Sequence, residues 1–187
     1  MGPYHTMLVH FPIALWTTAA LIILIRALSD GRLARAVDCA LTPLLLLGAV
    51  TGVLAFGVGL TVWPTEASTS SPLARNHMLL AGWSLAYWIV LWVTRWRGGE
   101  RVWQGYWRWV MLGLAVLGVG LQTITGALGG HLVGNPSAVS QFLRLAGWEV
   151  YTTFYVPNWV LGVIVVVAVV LVFVGIAGKR AQPASGT

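Results

Sequence analysis

The chain has 187 residues, 58% of them hydrophobic and only 9% charged, with a mean hydropathy of +0.81. Soluble domains carry about a quarter charged residues, so this composition excludes a water-soluble globular protein and points to one that uses lipid as solvent. The formal charge of +6 does not indicate a nucleic-acid partner, because the arginines stand in short segments between apolar runs, the arrangement that orients a membrane protein.

In chain order, apolar runs occupy residues 8–25, 40–62, 78–94, 110–133 and 160–176, each near the ~20 residues that cross hydrocarbon. The pattern predicts an all-α integral membrane protein of five transmembrane helices with a four-helix-bundle-like core. Residues 1–180 form a single polytopic membrane domain, and 181–187 a disordered cytoplasmic tail. No Lys or Arg precedes the first run, so it reads as a retained helix rather than a cleavable signal. The third run is the shortest. Residues 139–148 suggest a short interfacial helix, and no convincing internal repeat is visible along the chain.

The segments between the runs set the orientation. Arg26, Arg32, Arg35, Arg95, Arg97, Arg101, Arg108, Lys179 and Arg180, nine of the eleven basic residues, fall on one side; only Arg75 and Arg144 fall on the other. Lys and Arg in short loops are retained in the cytoplasm, which predicts a bacterial inner-membrane protein with a periplasmic amino terminus and a cytoplasmic carboxyl terminus. Trp103, Tyr106, Trp107 and Trp109 mark the inner interface, and Trp63, Trp148, Tyr151 and Trp159 the outer. The single Cys39 excludes an internal disulfide and sits on the reducing side.

This topology puts all four histidines at the periplasmic side: His5 and His10 at the start of span 1, His77 at the start of span 3, His131 at the end of span 4. Ionisable groups in the hydrocarbon margin are costly and mark function. A b-type haem between helices needs two imidazoles from different helices at matched depth. His10, His77 and His131 lie nearest the ends of the apolar runs and are the preferred ligands. His5 is expected to be more exposed, and as a ligand would imply a second haem. His5 and His10 lie about 140° apart on a regular helix, so they cannot share one metal unless Pro12 kinks the first turns. Gly52, Gly57, Gly59, Gly82, Gly126, Gly129 and Gly130 would let a backbone approach a flat ring. Arg75 and Arg144 would meet haem propionates.

The run His5-Thr6-Met7-Leu8-Val9-His10-Phe11-Pro12-Ile13-Ala14-Leu15 resembles the opening signature of a bacterial family of predicted membrane proteins that carries the label of a domain of unknown function. Arg75-Asn76-His77, and Thr125-Gly126-Ala127-Leu128-Gly129-Gly130 with Leu132-Val133, resemble two further pieces of it. Relatives commonly continue as GGxLVYxHG where this chain reads GGHLVGNPS, so the family's later histidine falls at Pro136 and a histidine stands instead at His131. Some relatives are fused to Rieske iron–sulfur domains, which implies membrane redox chemistry.

The expected function is therefore a b-type cytochrome-like electron-transfer subunit. Its haem, one or two, would be held at the periplasmic side, relaying electrons between a periplasmic redox protein (Rieske or cytochrome c type) and quinone. A copper-binding membrane protein using Met7, His10, His77 and Met78 is the alternative, and a cofactor-free scaffold or assembly subunit the third reading. Only residues 122–125 bring polar groups to mid-depth, which disfavours a transporter. No nucleophile–base pair or paired carboxylate is present, so an electron-transfer subunit of a complex or homo-oligomer is expected rather than a stand-alone enzyme.

Overall fold

A computed structural model describes residues 2–149, 151–152 and isolated positions between 159 and 173. All regular elements among them are helical: α1 (Gly2–Leu28), α2 (Arg32–Asp38), α3 (Leu41–Gly59), α4 (Thr65–Ser70), α5 (Pro72–Gly98), a 3-10 turn (Gly99–Trp103), α6 (Trp107–Leu132) and α7 (Ala138–Leu145). Four stretches are long and apolar enough to cross a membrane: Gly2–Leu28, Arg32–Gly59, Pro72–Trp103 and Trp107–Leu132. The fifth expected span falls almost wholly on residues outside those described, as does the tail 181–187. A short helix is found where residues 139–148 suggested one: α7, which ends at Leu145.

Two helices begin six residues ahead of their apolar runs. Helix α1 starts at Gly2 and runs unbroken through the buried Pro12, which brings His5 into the helix and leaves no break between His5 and His10 that would let them converge. Helix α5 starts at Pro72, a residue whose missing N–H costs nothing in a first turn, behind Ser71, whose side chain accepts a hydrogen bond from the Ala74 amide. That cap draws Arg75, Asn76 and His77 into the first turns. The third span, shortest by its apolar run, is thus as long as the first, 27 residues each.

The four long helices form a square. Helix α1 packs on α3 and α6, and α5 packs on the same two from the opposite corner. At the centre the rings of Trp16 and Trp88 stack with centroids 5.4 Å apart and planes 7° from parallel. Both are buried, and each lies on glycine. A side chain at Gly48 or Gly52 would collide with Trp16, and one at Gly118 would come within 2.9 Å of Trp88. Around this stack close Ala19, Ile23, Leu41, Leu45, Leu91, Met111 and Ala115. The outward faces carry exposed Leu47, Val50, Val53, Leu54, Leu79, Val90 and Val116, as expected where lipid is the solvent and only close packing distinguishes inside from outside.

The bundle contains a repeat that the sequence hides. A shift of 72 residues carries His5 to His77, Ala19 to Leu91 and Trp16 to Trp88; a shift of 70 carries Leu41 to Met111, Leu45 to Ala115, Gly48 to Gly118 and Gly59 to Gly129. Apart from the half-buried His5, His77, Gly59 and Gly129, these positions are buried in both halves. The pair α1 and α3 thus matches the pair α5 and α6 about an approximate two-fold axis along the bundle, a parallel repeat of the kind found in transporters. The expectation of no repeat fails for two reasons. The two offsets differ, and over the first twelve positions from His5 only the His, Leu, Ala and Trp at His5, Leu8, Ala14 and Trp16 recur, at His77, Leu80, Ala86 and Trp88.

One end of the bundle is closed by ions. The Arg95 guanidinium meets the buried Asp38 carboxylate at 2.7 Å and Glu100 at 3.4 Å, and the Trp103 indole N–H donates to the same Asp38 oxygen at 3.1 Å. Arg26 pairs with Asp30 and with Glu100 at 3.3 Å, and Arg108 reaches Asp30 at 2.8 Å. The cationic groups of Arg26 and Arg95 sit 5.5 Å and 5.7 Å from the Trp103 ring centre, close enough for attraction to its π face. Hydrogen bonds from Arg108 and then Arg26 hold the Asp30 carboxyl below the usual carboxylate range.

Candidate functional site

At the opposite end of the bundle, two imidazoles occupy equivalent places in the two halves. The Nδ1 of His5, on α1, lies 3.0 Å from the carbonyl oxygen of Ala55 on α3. The Nδ1 of His77, on α5, lies 3.0 Å from the carbonyl oxygen of Thr125 on α6. A carbonyl oxygen can only accept, so in each ring Nδ1 carries the hydrogen and donates. Nε2 is left with its lone pair. The same arrangement orients metal-bound histidines generally: one nitrogen donates to a backbone carbonyl and the other ligates.

Glycine seats both rings. Gly59 follows Ala55 by four residues and Gly129 follows Thr125 by four, which places each glycine on the same helix face as the accepting carbonyl. A Cβ at Gly59 would stand 2.7 Å from Cε1 of His5, and one at Gly129 2.9 Å from Cε1 of His77. Any larger residue would push the imidazole off its carbonyl. The two ring centroids lie 6.5 Å apart with planes at 83°. An imidazole nitrogen lies about 1.1 Å from its ring centre and about 2 Å from a first-row metal, so two rings ligating one metal from opposite sides stand about 6.3 Å apart, and in tetrahedral ligation about 5 Å. The observed pair is edge-to-face, with a centroid spacing close to the first of these values.

The other expected site residues lie elsewhere. His10 is exposed, and its Nδ1 is satisfied 2.7 Å from the Thr6 carbonyl of its own helix. With α1 regular through Pro12, His10 faces about 140° away from His5. The expected order of shielding is therefore reversed, since His5 is half-buried. His131 lies two residues beyond Gly129 and so about 200° around α6 from the seat of His77, which turns it away from the pair. It lines a separate cleft with Gln141, Arg144, Glu149 and Tyr151, where Arg144 pairs with Glu149 at 3.2 Å. Arg75, exposed on the first turn of α5, borders a groove with Thr69, Met78 and Leu79. Met7 is exposed, so the copper set of Met7, His10, His77 and Met78 is not brought together.

Sequence reasoning did not single out the carbonyls of Ala55 and Thr125, because any residue supplies a carbonyl. Gly59 and Gly129 were marked only as room for a ring. Their common distance of eleven residues from Gly48 and Gly118, which floor the two tryptophans, is the signal that distinguishes them.

A square of apolar helices with polar groups drawn to its two ends defines an all-α, multi-pass membrane protein. The chain belongs to the family described as predicted membrane protein (DUF2231), whose model matches residues 1–140 and so takes in both halves of the repeat and all four histidines. No curated protein and no solved structure matches it.

Proposed function

We propose that the protein is a membrane-embedded electron carrier that holds one haem b between His5 and His77. The observation that carries the reading is the pair itself: two imidazoles from different helices, each fixed by a backbone carbonyl with no partner for Nε2 among the described residues, at a centroid spacing close to that of trans ligation. His5 and His77 would hold the haem iron through their Nε2 atoms. On α6 the face beside the His77 seat leaves room for a flat ring, since a Cβ added at Gly126, about 60° around the helix from Gly129, meets nothing within 4 Å. Bound haem supplies a reversible one-electron couple, which the axial ligands and the burial around them tune.

The seven described arginines at or beyond the opposite end of the bundle, Arg26, Arg32, Arg35, Arg95, Arg97, Arg101 and Arg108, support placing the histidine pair on the periplasmic side of the bacterial inner membrane. From there the pair serves a periplasmic redox protein, of Rieske or cytochrome c type, and cannot by itself carry an electron to the cytoplasm. The pseudo-two-fold arrangement supports a single centre on the axis, in place of the one or two haems open from sequence.

The test is haem per protein, with oxidised and dithionite-reduced absorption spectra, on the purified full chain. A sharp α band and insensitivity to carbon monoxide are expected, because trans imidazoles leave no open position on iron. His5→Ala and His77→Ala should each abolish the six-coordinate spectrum. Unchanged haem and spectra in both variants sink the assignment, and stoichiometric copper without haem transfers the same two nitrogens to a linear copper site.

A further inference from the structure

We propose that the cleft between the end of α6 and helix α7 binds the headgroup of a membrane quinone or quinol, an inference that rests on the electron-carrier reading above and supplies its lipid-soluble partner. The cleft measures about 610 Å³, within the ~300–1,000 Å³ typical of small-ligand sites. Its lining combines an aromatic wall with a few polar groups. The Tyr151 ring stands edge-on to His131, centroids 4.9 Å apart and planes at 76°, and Gln141 opens onto the same space.

The Nδ1 of His131 is buried and has no hydrogen-bond partner among the described residues. A buried polar nitrogen left unpartnered is destabilising, and a ligand oxygen that reaches it as the ring turns toward the cleft removes that cost. The charge in the cleft is already balanced: Arg144 pairs with Glu149 at 3.2 Å and lies 5.9 Å from the Tyr151 ring centre. A phosphate or carboxylate would meet a compensated cation. A neutral flat ring bearing oxygens meets an aromatic wall, a waiting ring nitrogen and an amide.

Position agrees with this chemistry. Helix α7 turns Leu143 and Ser140 inward and leaves Phe142 and Leu145 exposed, an amphipathic helix of the sort that lies at the boundary of headgroups and acyl chains. Quinone headgroups diffuse at that depth. The His77 seat, Thr125 and Gly129, occupies one face of α6 and His131 the other, so a ligand at His131 is one helix diameter, about 10 Å, from the histidine pair. That is a direct distance for electron transfer.

The experiment is equilibrium dialysis of the haem-loaded full chain in detergent against decylubiquinone. One saturable site is expected in the wild type. His131→Ala should weaken it about tenfold, the equivalent of ~1.4 kcal/mol, and His131→Gln, which can still hydrogen-bond, should weaken it less. Unchanged haem content in both variants reports that the bundle is intact. His5→Ala should lose haem and keep decylubiquinone affinity, which separates the two proposals. Should His5→Ala keep its haem while His131→Ala loses the quinone, the haem assignment falls and the cleft stands. No saturable binding, equal affinity in wild type and both His131 variants, or displacement by glycerol phosphate at the affinity of the quinone overturns the cleft proposal.

Discussion

At the arginine end of the bundle, the carboxylates of Asp30, Asp38 and Glu100 each meet a guanidinium, and Trp103 lies between the two buried ones. At the histidine end, His5 and His77 satisfy one nitrogen each on a backbone carbonyl, and the other has no partner among the described residues. Both ends place polar groups where lipid would penalise them. The charges of the ionic network are matched within it, although Asp38 Oδ1 and the Nε atoms of Arg26 and Arg95 have no hydrogen-bond partner among the described residues. This mutual pairing of charge reads as structure. The paired imidazoles keep a lone pair in reserve and so read as function. A bare count of ionisable residues near the membrane margin cannot make that distinction; the partner of each atom can.

The largest expected effect tests the structural end. Asp38→Ala leaves the buried Arg95 guanidinium only its longer contact with the exposed Glu100, and breaking a buried pair costs up to about 3–5 kcal/mol. Thermal unfolding in detergent should fall accordingly, with the absorption spectrum of the folded protein unchanged. Replacing both partners, Asp38→Leu with Arg95→Met, should recover much of that loss, since apolar isosteres often match a buried pair. A spectrum altered at constant stability would erase the contrast between the ends.

Next come the seats. Gly59→Ala and Gly129→Ala force a methyl to 2.7 Å and 2.9 Å from the imidazoles, a degree of overpacking that costs ~1–3 kcal/mol. The strain should appear as a shifted or lost haem spectrum, of similar size in the two variants if the halves are equivalent. Gly113→Ala, where an added Cβ meets nothing within 4 Å, serves as the comparison and should leave the spectrum alone. A strong effect at only one of Gly59 and Gly129 would show that the two-fold does not extend to the site.

A smaller effect belongs to pH. The Asp30 carboxyl is held below its ordinary value of 3.8 by Arg108 and Arg26, so its contribution to stability is complete above that value and fades as the pH falls through the lower folded one. Wild type should therefore be more stable than Asp30→Asn at neutral pH, and the gap should close under acid, read by thermal unfolding across a pH series. A constant gap would mean that the exposed pair acts through packing alone. Smallest of all is His10→Ala: with the side chain exposed and bonded to its own helix, spectrum and stability should not move, and lost haem in this variant would return His10 to the ligand set.

Composition and charge placement determined the solvent, the helical class and the sorting of basic residues to one end, because lipid leaves a chain few ways to satisfy its backbone and charged loops few places to lie. The histidine end was also legible as a site: a titratable group beside an apolar run stands out in one dimension. Which histidines meet was not legible. His10 and His131 look better shielded by distance along the chain, but shielding depends on the angle around a helix and on what packs there. The unbroken course of α1 through Pro12 turns His10 outward, and the 200° from Gly129 turns His131 away from His77. The repeat escaped for a related reason. Its two halves share few residues, and what they conserve is shape: a tryptophan on glycine at the centre and a histidine on glycine at the end. Such complementarity exists only between helices, so tertiary packing alone decided that His5 and His77 form the pair.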